Sequence, residues 1–423
     1  MVHADQPIVI VGAGCFGLSA AYHLLRRGYV DVTVLDRSFN LPAPDAASND
    51  LNRIVRSSYS DSFYSGLARE AISSWKDVKE WGNTYHESGV LVLGAPMEEK
   101  TYVDQSYTND VALGAVVQRL DNVDAIRSVF PVQIHTASFS GRTGFLNRDG
   151  GWANAGQGLS ILLSKVAALG GKIFPGKAVK NLIRKEGRTV GVLCEDDDTF
   201  EAITVILATG SWTPSAFPQL NLGCACLATG QSIAMVQLSE EEADKYRLCP
   251  VVLDFSSGFY IFPPNNKNVV KMAIHSAGYT HTREAVSTPR TISSDPVDGH
   301  CIPKASLQEL RKHLRSVYPD LADKPFSNTR LCWYNDSPDG DWVIGRFPAD
   351  SSLILATAGS GHAYKFLPVI GRLVADLADN KLDPKVAGKF AIDRVYLGPD
   401  TSRSGPAIEL DLDQLCTQQD LEN

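Results

Sequence analysis

The chain has 423 residues, too many for one compact core, and a two-domain protein is expected. With 44% apolar and 21% charged residues and a formal net charge of −8, its composition excludes a disordered chain and argues against a nucleic acid or an anionic membrane as partner. No apolar run reaches the length of a membrane span, and the eight cysteines show the paired spacing of neither a zinc site nor a disulfide framework, so no metal is expected.

The first residues, Met1-Val2-His3-Ala4-Asp5-Gln6, run straight into an apolar stretch with no room for a signal peptide, and the last residues are not a peroxisomal tripeptide. An intracellular, cytoplasmic location is the expectation. From Pro7 to Asp36 the chain reads as a βαβ dinucleotide-binding unit: the strand Ile8-Val9-Ile10-Val11, the turn Gly12-Ala13-Gly14-Cys15-Phe16-Gly17, a helix, and the strand Val32-Thr33-Val34-Leu35 closed by Asp36. Gly12 permits the tight turn, Gly14 lets backbone N–H groups approach a pyrophosphate, and Gly17 lets the helix pack on the strand. Asp36 stands where a carboxylate accepts the hydroxyls of an adenosine ribose.

Residues 42–50 are rich in turn formers and read as a loop. Arg53 and Arg56 follow it at the spacing of one helical turn, which suits either a solvated face or an anionic pocket. A helix is predicted from Ser62 to Trp81 and a strand across Glu87–Gly94, then short helices and loops to about 140. The turn Asp149-Gly150-Gly151-Trp152 precedes a helix that ends at Gly170-Gly171. Strands recur at 172–174, 191–194 and 204–207, the last running into Ala208-Thr209-Gly210-Ser211-Trp212; this is either an ordinary strand end or a second pass of backbone beside the cofactor.

Cys224-Ala225-Cys226 is read as the alternate faces of a strand. From 223 to 325 longer strands suggest a substrate domain, with a hairpin through Phe259-Tyr260-Ile261-Phe262 and Val269–Ile274. Lys271, Ala273 and His275 then share one face, and the lysine either snorkels to water or is held inside for its chemistry. A last strand, 353–357, leads through Ala358-Gly359-Ser360-Gly361-His362 into a helix with Lys365 in its first turn, where a cation opposes the helix dipole. Beyond about 398 the chain reads as a polar, frayed tail.

These pieces resemble the sarcosine oxidase-like flavoproteins, which include monomeric sarcosine oxidase, pipecolate and saccharopine oxidases, and the fructosyl amino acid oxidases. The resemblance runs from Ile8 to about Leu397 and rests on GAGCFG, DLNRIVR, GGW, the Lys271 strand, LCWYNDSPDGDWVIG from Leu331 and GSGHAYKF from Gly359. It implies an α/β fold: a Rossmann-like FAD-binding domain plus a mostly antiparallel β substrate domain, as in glutathione reductase-like and D-amino-acid oxidase-like flavoproteins. Segments 1–85, 150–222 and 326–400 are expected to build the first domain, and 86–149 and 223–325 the second, with 401–423 as the tail.

The resemblance also implies the site. FAD would be held by Gly12, Gly14, Cys15, Phe16, Gly17, Asp36, Arg37, Ser48, Asn49, Arg53, Val179, Ala208, Gly210, Trp212, Gly359, Gly361, His362 and Lys365, with a covalent 8α-S-cysteinyl link to Cys332. Lys271 would activate oxygen, and Arg53 would sit beside the flavin. Lys365 would bind the substrate carboxylate, with Arg56 a weaker candidate, and Tyr260 and His275 would line the substrate pocket.

The implied activity is FAD-dependent oxidation of the C–N bond of a secondary-amine amino acid such as sarcosine, pipecolate or saccharopine, by a monomer, with O₂ as acceptor and H₂O₂ as product. Fructosyl amino acid oxidases carry an acidic residue in a Lys-x-x-Asp-Glu pattern where this chain has Lys271-Met272-Ala273-Ile274-His275, which ranks a sugar-amine substrate second. An amine oxidase tailoring a specialised metabolite, an NAD-dependent dehydrogenase and a non-catalytic flavin-binding module are the other readings.

Overall fold

The computed structural model describes residues 5–95, 101–223, 225–396, 398–400, 402, 403 and 405–422. The fully buried strand Ile8–Val11 lies inside a six-stranded sheet whose order is 343–347, 350–357, 204–207, 8–11, 32–35, 172–174. All pairings are parallel except Val343–Phe347 against Asp350–Thr357, so five strand ends open on one edge. Helix Cys15–Arg26 leaves that edge. The first turn has φ +108° at Gly12, and a Cβ there would fall 2.4 Å from the Ala208 carbonyl oxygen. A Cβ on Gly17 would fall 1.9 Å from the Gly12 oxygen, so helix and strand meet at a distance only glycine allows.

The second sheet has ten strands among the described residues, in the order 408–409, 279–280, 227–237, 269–274, 259–261, 251–254, 90–94, 143–147, 117–120, with 328–336 paired to 227–237 from Leu227–Asp336 to Met235–Asn328. It is mostly antiparallel; 251–254 with 90–94 and 279–280 with 408–409 are the parallel pairs. Alternation along Asn328–Asp336 sends Leu331 and Trp333 into the core under helix Lys304–Arg315, and Cys332 and Tyr334 to the opposite face beside Tyr260, Phe262 and Ala273. That second face looks toward the first sheet. This strand therefore belongs to the substrate sheet, although it falls after residue 326. Among the described residues no helix is long and apolar enough to cross a membrane, and no acidic, histidine and cysteine cluster could hold a metal.

The structure departs from the sequence reading in five places. Arg53 lies in the short strand Arg53–Val55, not on a helix, so it and Arg56 project to different sides of an extended chain. The helix read as Ser62–Trp81 breaks at Lys76–Asp77, where the Asp77 carboxylate caps a new turn by accepting from Lys79 N and Glu80 N at 3.0 and 3.3 Å. Lys365 sits in a separate 3₁₀ turn, Tyr364–Phe366, and the helix starts only at Ile370, after Pro368 has removed a backbone donor. Cys226 precedes the strand that starts at Leu227, and Cys224 lies outside the described residues. The chain after 405 is not frayed: Ile408–Glu409 adds a strand to the larger sheet, and Leu410, Leu415, Cys416 and Leu421 are buried in its core.

Candidate active site

The turn at Gly12 opens into a cavity of about 850 Å³. The helix behind it has no acidic residue in its first turn and no side-chain cap at Gly14, so its positive end stands free for an anion. Asp36 is fixed by the backbone, its two oxygens accepting from Ala13 N at 2.7 Å and Ser38 N at 2.8 Å. Burial raises its pKa and those two N–H groups oppose the rise. The guanidinium of Arg37 lies over the Trp212 ring at 4.0 Å, a flat wall in the same cavity. Asp45 Oδ1, Ser211 Oγ and Asn335 Oδ1 belong to lining residues and are buried without a protein partner. A glycine turn, a free helix end, an anchored carboxylate and unsatisfied polar atoms around a volume of this size fit FAD.

A second cavity, about 290 Å³, joins the first and shares Arg53, Tyr334, Ser360, Gly361, His362 and Tyr364 with it. Arg56 and Lys365 line it without an ion pair among the described residues. The Arg56 guanidinium lies 4.5 Å from the Tyr59 ring centre and gives Nη2 to the Tyr102 hydroxyl at 3.3 Å, while Nη1 is buried with no partner. Immediately after it, Ser57 and Ser58 each donate to Asp110 at 2.6 Å, which fixes the chain that carries Arg56. Lys365 Nζ donates to the Tyr59 hydroxyl at 2.7 Å and to the His362 carbonyl at 2.8 Å. The Tyr59 hydroxyl then donates to His362 Nδ1 at 3.2 Å, and His362 Nε2 donates to the Gly340 carbonyl at 3.0 Å, which assigns His362 as the neutral Nε2–H tautomer. Burial and the charge of Arg56 push Lys365 well below the ordinary lysine range. Burial and the neighbouring cations likewise keep His275 and His362 neutral.

Behind the junction of the two cavities lies a buried charge cluster. Lys271 is fully buried and donates to Asp50 Oδ2 at 2.9 Å and to the Asn52 carbonyl at 2.6 Å. Arg53 donates to the same Asp50 oxygen, and its Nη2 lies 3.2 Å from Cys332 Sγ. Burial, aided by the charge of Arg53, pushes Lys271 down to about 7 against the pull of Asp50. Burial would raise Asp50, but Arg53, Lys271 and Arg330 outweigh it and hold this carboxyl well below the usual range.

Residues 7–377 match the family model described as FAD dependent oxidoreductase. The chain belongs to this family. Its relatives include L-saccharopine oxidase of Schizosaccharomyces pombe, 31% identical over 396 residues that cover 88% of this chain and 89% of that protein. Monomeric sarcosine oxidase of an Arthrobacter species is 23% identical over 406 residues, covering 94% and 98%. The crystal structure of the fructosyl amine:oxygen oxidoreductase Amadoriase I from Aspergillus fumigatus superposes with a TM-score of 0.84 at 27% identity, covering 98% of each chain. The resemblance drawn from the motifs and the two-domain α/β flavoprotein fold are thus shown, and the protein is an FAD-dependent oxidoreductase.

In this oxidoreductase Gly12, Gly14, Cys15, Phe16, Asp36, Arg37, Ser48, Arg53, Val179, Ala208, Gly210, Trp212, Gly359, Gly361 and His362 all line the larger cavity. Arg56, Tyr260, His275 and Lys365 line the smaller one, together with Arg53. Four expected residues stand elsewhere. Gly17 supports the turn from behind, and Asn49 braces the loop by donating to the Pro42 and Ala43 carbonyls at 3.1 and 3.0 Å. Lys271 and Cys332 lie in the buried cluster, in the wall of neither cavity.

Sequence reasoning missed Asp50, Tyr59, Tyr102 and Tyr334. Asp50 had one signal, an acid three residues before Arg53; its partner Lys271 is 221 residues away. Asp50→Asn leaves Lys271 and Arg53 buried around a neutral amide. It is expected to cost about 3–5 kcal/mol of stability, the loss that follows breaking a buried ion pair. A thermal midpoint equal to that of the unmutated protein would show that the cluster carries no such coupling.

Proposed function

We propose that this enzyme oxidises the C–N bond of a secondary-amine amino acid of the sarcosine, pipecolate or saccharopine kind, giving an imine and H₂O₂ and, after hydrolysis, a carbonyl compound and an amine. The observation that carries this reading is the pair Arg56 and Lys365, two buried cationic groups without an ion pair in a cavity that adjoins the one fitted to FAD. A carboxylate placed between them would satisfy Arg56 Nη1 and favour the charged form of Lys365 that burial opposes. Tyr59, Tyr102, Phe255 and Tyr260 exclude water from the remainder of the ligand. His275 and His362, held neutral, add no charge beside an amine that must bind unprotonated for its lone pair to assist C–H cleavage. When bound, FAD supplies the acceptor for the two electrons and passes them to O₂.

Within this reading Cys332 is the covalent attachment residue. Support comes from Arg53, whose guanidinium lies 3.2 Å from its sulfur and lines the cavity fitted to FAD. Lys271 is the fixed cation that stabilises the negative charge developing on O₂. The protein is read as a monomer, in keeping with the name of its Arthrobacter relative. A fructosyl amine remains the second substrate reading, favoured by the close superposition on Amadoriase I and disfavoured by His275 in place of an acid.

Three outcomes are expected. Peroxide should form, and bound flavin should bleach under nitrogen, with at least one of sarcosine, pipecolate, saccharopine and N-methyl amino acids; bleaching by fructosyl-valine alone would move the assignment to the second reading, and silence on all would remove it. Acid-precipitated protein should stay yellow and Cys332→Ala should release its flavin, whereas free FAD in the supernatant of the unmutated protein excludes the link. Lys271→Met should slow the reaction with O₂ far more than reduction by substrate; equal slowing of both half-reactions would assign it a structural role.

A further inference from the structure

The smaller cavity is lined by charges of both signs, and its carboxylates are unequally neutralised. Asp61, Asp339, Asp341 and Asp400 contribute to its wall. Lys389 Nζ lies 2.8 Å from both Asp61 and Asp341, and Arg394 grips Asp339 through two bonds of 2.7 and 2.8 Å. Asp400 is different. Its Oδ1 accepts from Ser402 N at 2.8 Å and Ser402 Oγ at 2.6 Å, but the cation nearest to Oδ2 is Arg403 Nε at 3.4 Å. Arg403 gives both terminal nitrogens to Asp336 instead, at 2.7 and 2.9 Å. Asp400 is thus the carboxylate of this wall with the longest ion pair, its side chain 22% exposed.

The position of Asp400 is set by its surroundings. Its N–H donates to the Pro338 carbonyl at 3.2 Å, and Ser402 Oγ accepts from His275 Nε2 at 3.0 Å, so the segment is tied to the substrate strand. Asp400 lines the same small cavity as Arg56, Lys365 and Tyr102, the phenol bonded to Arg56. Arg56 itself is 8% exposed with an unpartnered nitrogen, so the cavity is built to take a ligand at that anchor.

We propose that the site selects an amino acid whose far end carries a second, cationic group, and that Asp400 is the residue that receives it. This deepens the proposed function and rests on its reading that Arg56 and Lys365 hold the α-carboxylate. An ammonium meeting a carboxylate at a partly buried wall is expected to gain about 10-fold or more in selection, as hydrogen bonds to charged groups do.

The test compares the holoenzyme on Nα-methyl-L-lysine and Nα-methyl-L-norleucine, which share the carboxylate, the secondary amine and the carbon chain and differ in the terminal ammonium. The expected kcat/KM ratio is about 10 or more in favour of the lysine compound, falling to about 3 or less in Asp400→Asn and inverting in Asp400→Lys. A ratio of one or below in the unmutated enzyme, or an unchanged ratio in both variants, overturns the proposal. If sarcosine or pipecolate bleaches the flavin but neither of these compounds does, the amine oxidase reading stands and this one falls. If no secondary-amine amino acid bleaches it, both fall.

Discussion

One carboxylate holds the two halves of this molecule in register. Asp50 stands on the loop that follows the first βαβ unit, and it takes Lys271 from the substrate sheet and Arg53 from the strand that leads to Arg56. A buried ion pair of this kind adds little stability over an apolar replacement, since desolvation offsets attraction, but losing one member is costly. Its effect is therefore on geometry: it admits one arrangement of loop, sheet and strand. Arg330 reinforces that arrangement by donating to the carbonyls of Asn49, Ala46 and Pro44 at 2.6, 3.0 and 3.3 Å, so the loop lining the FAD cavity is pinned from the same sheet.

Because of this clamp the two cavities meet at one boundary. Arg53, Tyr334 and His362 belong to both walls, and each is committed elsewhere: Arg53 to Asp50, Tyr334 to the strand that carries Cys332, His362 to Tyr59 and Gly340. A residue shared in this way cannot move for one ligand without being felt by the other. Preorganisation of that sort is what lets a fixed cation stand ready before charge develops.

The parts of the fold legible in the sequence were those set by local rules. Gly12 and Gly17 announced a turn because only glycine tolerates the contact with Ala208 and with the turn itself, and the placement of Asp36 followed from the strand that ends there. What escaped was set over long distance. The spacing of Arg53 and Arg56 matches a helix, yet pairing with Gly151–Ala153 drew that stretch into a strand, because tertiary contacts override a three-residue periodicity. The tail looked polar because one face of it is; its buried leucines are too sparse for any window to detect, and they are stabilised by a core assembled from residues about a hundred positions earlier. For the site, Lys271 was conspicuous as a lysine among apolar strand residues. Its partner Asp50 was one acid among 48 acidic residues, and its place three residues before Arg53 says nothing of a lysine 221 residues away.

The same distinction explains the electrostatics of the smaller cavity. Burial is the larger cause that opposes the charged form of Lys365, and the charge of Arg56 adds to it. Such a pair costs stability in a folded protein unless an anion joins it, and the carboxylate of the proposed substrate would be that anion. The neutral state of His275 and His362 follows first from burial and then from the neighbouring cations Arg403, Lys365 and Arg56. The proposed reading thus assigns the ligand's carboxylate end to two cationic side chains that have no ion pair among the described residues. It leaves the far end of the ligand to the wall that holds Asp400.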